Sequence, residues 1–268
     1  MDYGLDGKSV IVTGASKGIG KAIAAAFVRE GANVVLSARS EPELNAAALE
    51  MCGSSGQIAA VAGDVASEAH RVALVDAAKQ RFGGVHVLVN NAGTIGAFAG
   101  FDDLTLDDWR AVFELNVFAV VALTKLVLPI MRAQRFGRII NISSESGVQP
   151  DAAMSHYNAS KGALNALTKS LSKAVGADNI LVNSVSPAFI KTPLVEKMLE
   201  DIAREKGISP AQAEAEFLRE NRPNIVLKRA GTAEESAEPV LFLASEQASF
   251  ITGANIRVDG GSVATVPI

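Results

Sequence analysis

Short runs of β-branched and aliphatic residues alternate along the chain with longer stretches whose apolar positions recur at helical spacing. The apolar runs are SVIVTG (9–14), NVVLSA (33–38), QIAAVAGDV (57–65), VHVLVNNAG (85–93), GRIINISS (137–144), NILVNSVSP (179–187) and NIRVDGG (255–261). Helical stretches fall between them at 18–30, 41–52, 67–82, 107–134, 156–176 and 233–244. Runs this uniformly apolar read as strands buried on both faces, as parallel strands joined by crossover helices are. The pattern predicts a doubly wound α/β sandwich around a parallel sheet of about seven strands.

One stretch breaks the alternation. Between Pro187 and Gly231 no strand is evident, and LVEKMLEDIAREKG places Leu194, Val195, Met198, Leu199 and Ile202 at helical spacing. A second helix is predicted where Ser209, Pro210 and Gln212 combine an N-cap, a first-turn proline and a capping-box partner, and Pro223 stops it. An insertion after the sixth strand lies beside the crevice where such sheets bind ligands, so it reads as a substrate cover. An oligomer contact or surface decoration is the competing reading.

Composition narrows the class. The 268 residues, 49% of them hydrophobic, suffice for one large domain, read here as residues 1–268 with the helical insertion at about 188–230. The net charge of −4 comes with scattered basic residues, so no nucleic-acid footprint is expected, and partners should be small molecules and like subunits. Cys52 is the single cysteine and no His/Cys cluster has ligand spacing, so neither a disulfide nor a metal is expected. No leader-like segment and no membrane-spanning apolar run are read, which suits a soluble, cytoplasmic protein.

The chemistry begins at TGASKGIG, residues 13–20, between the first strand and the first helix. Gly14, Gly18 and Gly20, with Ser16, Lys17 and Ile19 between them, form a turn open enough for a pyrophosphate to approach a helix N-terminus. The second strand ends in LSARS, so Ser37 and Arg39 stand where an acid would bind an adenosine ribose and repel a 2′-phosphate. Arg39 and Lys17 therefore favour NADP(H) over NAD, unless both are simply solvated. Asp64, followed by Val65, is read either as an acceptor for the adenine amino group or as a turn residue.

In order and separation, TGASKGIG, NNAG (90–93), Asn116, NISS ending at Ser144, YNASK (157–161) and SPAFIKT (186–192) resemble the classical short-chain dehydrogenase/reductase family over about residues 5–261. The resemblance implies a Rossmann-type fold, a nicotinamide cofactor and a homotetramer. It carries over Ser144, Tyr157, Lys161 and Asn116 as the catalytic set. It places Asn91, Ala92 and Gly93 on the adenosine and ribose side, and Pro187, Ile190 and Thr192 around the nicotinamide and phosphates. Where the family commonly has Pro-Gly after the sixth strand, this chain has Pro187-Ala188.

Within that set, the four-residue step from Tyr157 to Lys161 puts a phenol and an ammonium on one helix face. The ammonium is expected to lower the phenol pKa from ~10 so that Tyr157 can exchange a proton with substrate. Ser144 would donate to the substrate oxygen, Lys161 would hold the nicotinamide ribose, and Asn116 would hold a water leading to Lys161. Pocket positions are expected at Thr94, Ile95, Ser146, Val148, Met154, Phe189, Leu194 and Met198, mostly apolar, which suits an uncharged ketone or secondary alcohol. TPLVEK (192–197) looks like the lid start of 3-hydroxybutyrate dehydrogenases, yet Met154 stands where those carry a carboxylate-binding lysine. An NAD-linked dehydrogenase, a 3-oxoacyl reductase and a non-catalytic dinucleotide-binding protein are the alternatives.

Overall fold

The structure, a computed structural model, describes residues 3–265. Seven strands, β1 (Ser9–Thr13), β2 (Asn33–Ala38), β3 (Ile58–Ala62), β4 (Val87–Asn90), β5 (Gly137–Ile142), β6 (Ile180–Pro187) and β7 (Asn255–Val258), form one sheet. Their spatial order is β3, β2, β1, β4, β5, β6, β7, and every neighbouring pair is parallel. The order reverses between β1 and β4, which opens a crevice at the carboxyl ends of those strands.

Alternation within the strands feeds two cores. Val10, Val12, Val34 and Leu36 turn to one face of the sheet, where they meet Phe27 of α1 (Gly18–Arg29), Leu44 of α2 (Glu41–Glu50) and Leu241 of α9 (Ala233–Ala244). Ile11, Val35 and Ile139 turn to the other, against Leu74 of α3 (Glu68–Phe82), Leu123 of α5 (Ala119–Gln134) and Val175 of α6 (Ser155–Val175). Each such side chain, withdrawn from water, stabilises the fold by roughly 1.5–3 kcal/mol.

The strands are shorter than the apolar runs that announced them. Gly63 to Val65, Asn91 to Gly93 and Ser143 with Ser144 leave the ladder, and these residues line the crevice. The stretch at 107–134 is likewise not one regular helix: α4 (Leu106–Phe113) and α5 are joined by a π-helical segment, Glu114–Phe118, that carries Asn116. By length and composition Leu106–Gln134 could cross a membrane, a run the sequence reading did not find. Here its inner stripe, with Leu123, Val127 and Met131 wholly buried, packs on the sheet.

The insertion forms the two predicted helices, α7 (Pro193–Lys206) and α8 (Pro210–Asn221). Ser209 and Gln212 make the reciprocal capping box. An isolated parallel bridge between Ile190 and Gly231 brings entry and exit together. Lys191 N–H donates to Gly231 O at 2.8 Å and Gly231 N–H to Phe189 O at 3.0 Å.

Candidate active site

The glycine turn is braced from below. Thr13 Oγ1 accepts from the backbone N–H groups of Asn91 and Ala92, both at 3.0 Å, while Asn91 Nδ2 donates to Thr13 O at 2.8 Å and to Gly14 O at 3.1 Å. Gly18 adopts φ +56°, and a Cβ at Gly20 would run into the Gly14 carbonyl and the Asn91 amide. α1 then starts with no side-chain cap, whereas α4, α8 and α9 each start with a capping box. Its first N–H groups are thus left for a ligand, and an anion suits them.

In front of that turn lies a cavity of about 450 Å³. It gathers Gly14, Ser16, Lys17, Ser37, Arg39, Asp64, Val65, Asn91, Ala92 and Gly93 from four strand ends. Arg39 is exposed and has no ion-pair partner among the described residues. Lys17 lies 3.5 Å from Glu43, which also accepts from Ser16 at 3.5 Å. Asp64 lines the cavity and also caps the next turn, accepting from Ala66 N–H at 2.9 Å. Both readings of that residue hold at once. Sequence reasoning missed Thr13, Glu43, Gly63 and Leu115. The Thr of the TGASKGIG turn was a signal for the first, but only the packing of α2 and the π segment brings in Glu43 and Leu115.

A second cavity, of about 310 Å³, shares Asn91 and Gly93 with the first. Ser144, Tyr157 and Lys161 line it together, with Ile19, Thr94, Ile95, Pro187, Ala188 and Leu194. Lys161 is the only lining residue that bears a formal charge at neutral pH. Ser143 also lines it, but its hydroxyl donates to Lys161 O at 3.3 Å, while Ser144 Oγ accepts from Ser146 N–H at 3.2 Å.

The electrostatics differ from the expected tuning. Burial raises the Tyr157 pKa, a hydrogen bond with Ser144 opposes that rise, and the Glu145 charge adds to it. Lys161 Nζ donates to Ile142 O at 2.8 Å and stands 5.7 Å from the tyrosine ring centroid. Burial lowers its own pKa from 10.5 to about 8. The predicted acidification of the phenol by the ammonium is therefore not what this arrangement gives.

Asn116 is also differently employed. Its Oδ1 accepts from Thr94 N–H at 2.9 Å, and its Nδ2 donates to Thr94 O at 2.9 Å and Ser160 Oγ at 3.0 Å. Both amide hydrogens are taken, so the side chain braces the pocket wall.

The remaining predicted positions scatter. Thr192 precedes α7 without capping it and faces Gly18 across the glycine turn. Ile190 and Phe189 line a separate cavity of about 200 Å³, where Phe189 stacks on Phe217 at 4.9 Å. Ser146 lines two further cavities, one with Gln149 and one with Ser155. Val148 is exposed, Met198 is half-buried, and Met154 is buried in a left-handed turn (φ 57°) whose N–H donates to Ala99 O at 3.1 Å. None of these three lines the cavity that holds Ser144, Tyr157 and Lys161.

Comparison with known proteins places this geometry. The short chain dehydrogenase family matches residues 8–203. The chain is 37% identical over 259 residues to 3-oxoacyl-[acyl-carrier-protein] reductase of Thermotoga maritima, covering 97% of this chain and 99% of that protein. It is 33% identical to D-beta-hydroxybutyrate dehydrogenase of Rhizobium meliloti over 95% of this chain and 98% of the relative. The crystal structure of L-sorbose reductase from Gluconobacter frateurii, complexed with NADPH and L-sorbose, superposes with TM-score 0.93 at 37% identity, covering 99% of this chain and 100% of that one. With a doubly wound parallel sheet, a glycine turn and a Ser-Tyr-Lys cavity at its switch point, the chain belongs to the classical short-chain dehydrogenase/reductase family of oxidoreductases acting on an alcohol/carbonyl couple.

Proposed function

We propose that the protein is an NADPH-dependent reductase of an uncharged ketone, with Tyr157 as the proton donor. The observation that carries this reading is the junction of the two cavities at Asn91 and Gly93, which sets the catalytic trio at one end of a dinucleotide-sized groove. The glycine turn, the uncapped α1 and the guanidinium of Arg39 fit a dinucleotide with a 2′-phosphate, and the NADPH held by the L-sorbose reductase structure agrees. A bound reduced nicotinamide supplies the hydride for the carbonyl carbon.

The chain's own residues do the rest. Ser144 donates to the carbonyl oxygen and Tyr157 delivers its proton there as charge develops. A burial-raised pKa suits that direction, because it keeps the proton on the phenol at neutral pH. Lys161, its pKa lowered by burial to about 8, is still mostly an ammonium at neutral pH, holds the ribose hydroxyls and returns a proton to Tyr157. Asn116 fixes Thr94 at the substrate's side, the role we assign it in place of holding a water. A neutral substrate is favoured because Lys161 alone among the lining residues is charged and its ammonium is already bonded to Ile142.

The test is NADPH oxidation against a panel of ketones and ketoses, with Tyr157→Phe as control. Turnover should fall at least a thousandfold in the variant while NADPH binding persists. Near wild-type turnover would remove Tyr157 from the reaction.

A further inference from the structure

The loop that follows Ser144 is gripped by two segments distant in sequence. Glu145, its first residue, is only 7% exposed, and its Oε2 has no hydrogen-bond partner among the described residues. Its other oxygen lies 3.7 Å from Arg222 Nε, at the end of α8. Arg222 also reaches Asp151, at the far end of the loop, with NH2 at 3.7 Å. From the other side, Gln149 donates to Ser262 O at 3.2 Å and accepts from Ala264 N–H at 3.0 Å. A cavity of about 220 Å³ lies between these groups.

The arginine's placement is local in origin. Pro223 disfavours helical geometry in the residue before it, so Arg222 leaves α8 at φ −137° and ψ 50° and turns to the Ser144 loop. A buried carboxylate with an oxygen lacking any donor is expensive unless a cation completes it. The guanidinium stands 3.7 Å from the neighbouring Oε1 and does not yet close a hydrogen-bonded fork over both oxygens, which needs about 2.7–2.9 Å. The insertion that carries Arg222 is the one whose first turn puts Leu194 into the catalytic cavity.

We propose that Arg222 is a positioning residue for the reduction: when the insertion closes over substrate, its guanidinium completes the pair with Glu145 and fixes the loop that aims Ser144. This rests on the reading of Ser144 as the donor to the carbonyl oxygen. The charged groups facing Glu145 are Arg222 from α8, Asp151 from its own loop and Asp259 from the turn after β7, with Tyr157 of α6 also within its field. Burial raises the Glu145 carboxyl above its ordinary range, so the pair forms only above that titration and weakens as pH falls through it.

The experiment measures kcat, KM and NADPH affinity across pH for the full chain and for Arg222→Gln, Arg222→Lys and Glu145→Gln. Arg222→Gln should lower kcat for ketone reduction about tenfold with NADPH affinity within about twofold, and Arg222→Lys, which keeps the charge without the fork, should recover part of the loss. The acid limb of the wild-type kcat profile should vanish in Glu145→Gln. A wild-type kcat in Arg222→Gln, no rescue by lysine, or an acid limb retained in Glu145→Gln would each overturn the inference. If Arg222→Gln folds poorly, Asp151→Asn at the exposed rim carries the test: a fall in kcat of about threefold supports it, and no change sinks it. Tyr157→Phe separates the two levels, since an inactive Tyr157→Phe beside a fully active Arg222→Gln defeats this inference alone.

Discussion

Lys161 Nζ points to the carbonyl of Ile142, the last residue of β5, at 2.8 Å, and stands 5.7 Å from the centre of the Tyr157 ring four residues earlier. One helical turn thus brings the two groups to one cavity without pairing them directly. The lysine is anchored to the strand that delivers Ser144, so α6 and β5 are tied by a charged hydrogen bond.

That anchor has a thermodynamic signature. Because burial lowers the Lys161 pKa from 10.5 to about 8, the unfolded chain holds more protons than the native one between those values, and its contribution to stability rises as pH climbs through that window. Below about pH 8 the buried ammonium carries its full desolvation penalty, worth about 3 kcal/mol at 1.4 kcal/mol per unit. The stability difference between wild type and Lys161→Met should therefore shift in favour of wild type by that order from pH 8 to 10.5. Urea denaturation at several pH values checks it, and a pH-independent difference would show that the lysine titrates normally.

Arg39 should read the 2′-phosphate. Its guanidinium is exposed, lines the larger cavity and is free of any described ion pair, whereas Lys17 is partly neutralised by Glu43 at 3.5 Å. Arg39→Ala should weaken NADPH binding about tenfold or more and leave NADH binding within about threefold. Lys17→Ala should matter less. Fluorescence titration with both dinucleotides measures this, and equal losses for the two would refute phosphate recognition by Arg39.

Gly20→Ala should abolish dinucleotide binding. A methyl there meets the Gly14 carbonyl and the Asn91 amide, both fixed by hydrogen bonds to one another, so the turn must open. A destabilisation of about 1–3 kcal/mol is expected from such overpacking. Thermal melts with and without NADPH would register it as a lower Tm that the cofactor no longer raises.

Asn116→Ala should loosen the segment after NNAG. It leaves the N–H and carbonyl of half-buried Thr94 without their partner, at about 1 kcal/mol, the low end of the penalty for buried groups. Hydrogen exchange at residues 94–100 should accelerate more than in β5. Unchanged exchange there would mean that the π segment holds the loop without this side chain.

The insertion should gain protection only when cofactor and substrate are both bound. Leu194 is 70% exposed yet lines the cavity that holds Ser144, Tyr157 and Lys161, which leaves it apolar surface to bury on closure. Slowed exchange across Pro193–Asn221 in the ternary complex supports a lid, and indifference to ligand would favour the oligomer-contact reading.

Much of this was written in the chain order. The alternation of apolar runs with helical periods dictated a parallel sheet, because such runs suit buried strands, and the structure has the seven strands within a few residues of the runs, with only the edge strands β3 and β7 largely unburied. The capping residues at Ser209 and Gln212 fixed the start of α8 for the same local reason. The spacing of Ser144, Tyr157 and Lys161 was legible, and strand end and helix start do meet at one cavity. What lay beyond the sequence was everything set by contacts across long separations. Asn116 could be seen as an odd helix residue, but only tertiary packing joins it to Thr94 and Ser160. The helical step between Tyr157 and Lys161 could not reveal that burial outweighs the neighbouring charge, because desolvation depends on what the whole fold lays over a group. Nor could it show Arg222 beside Glu145, two residues 77 positions apart that the path of the chain out of α8 brings within 3.7 Å.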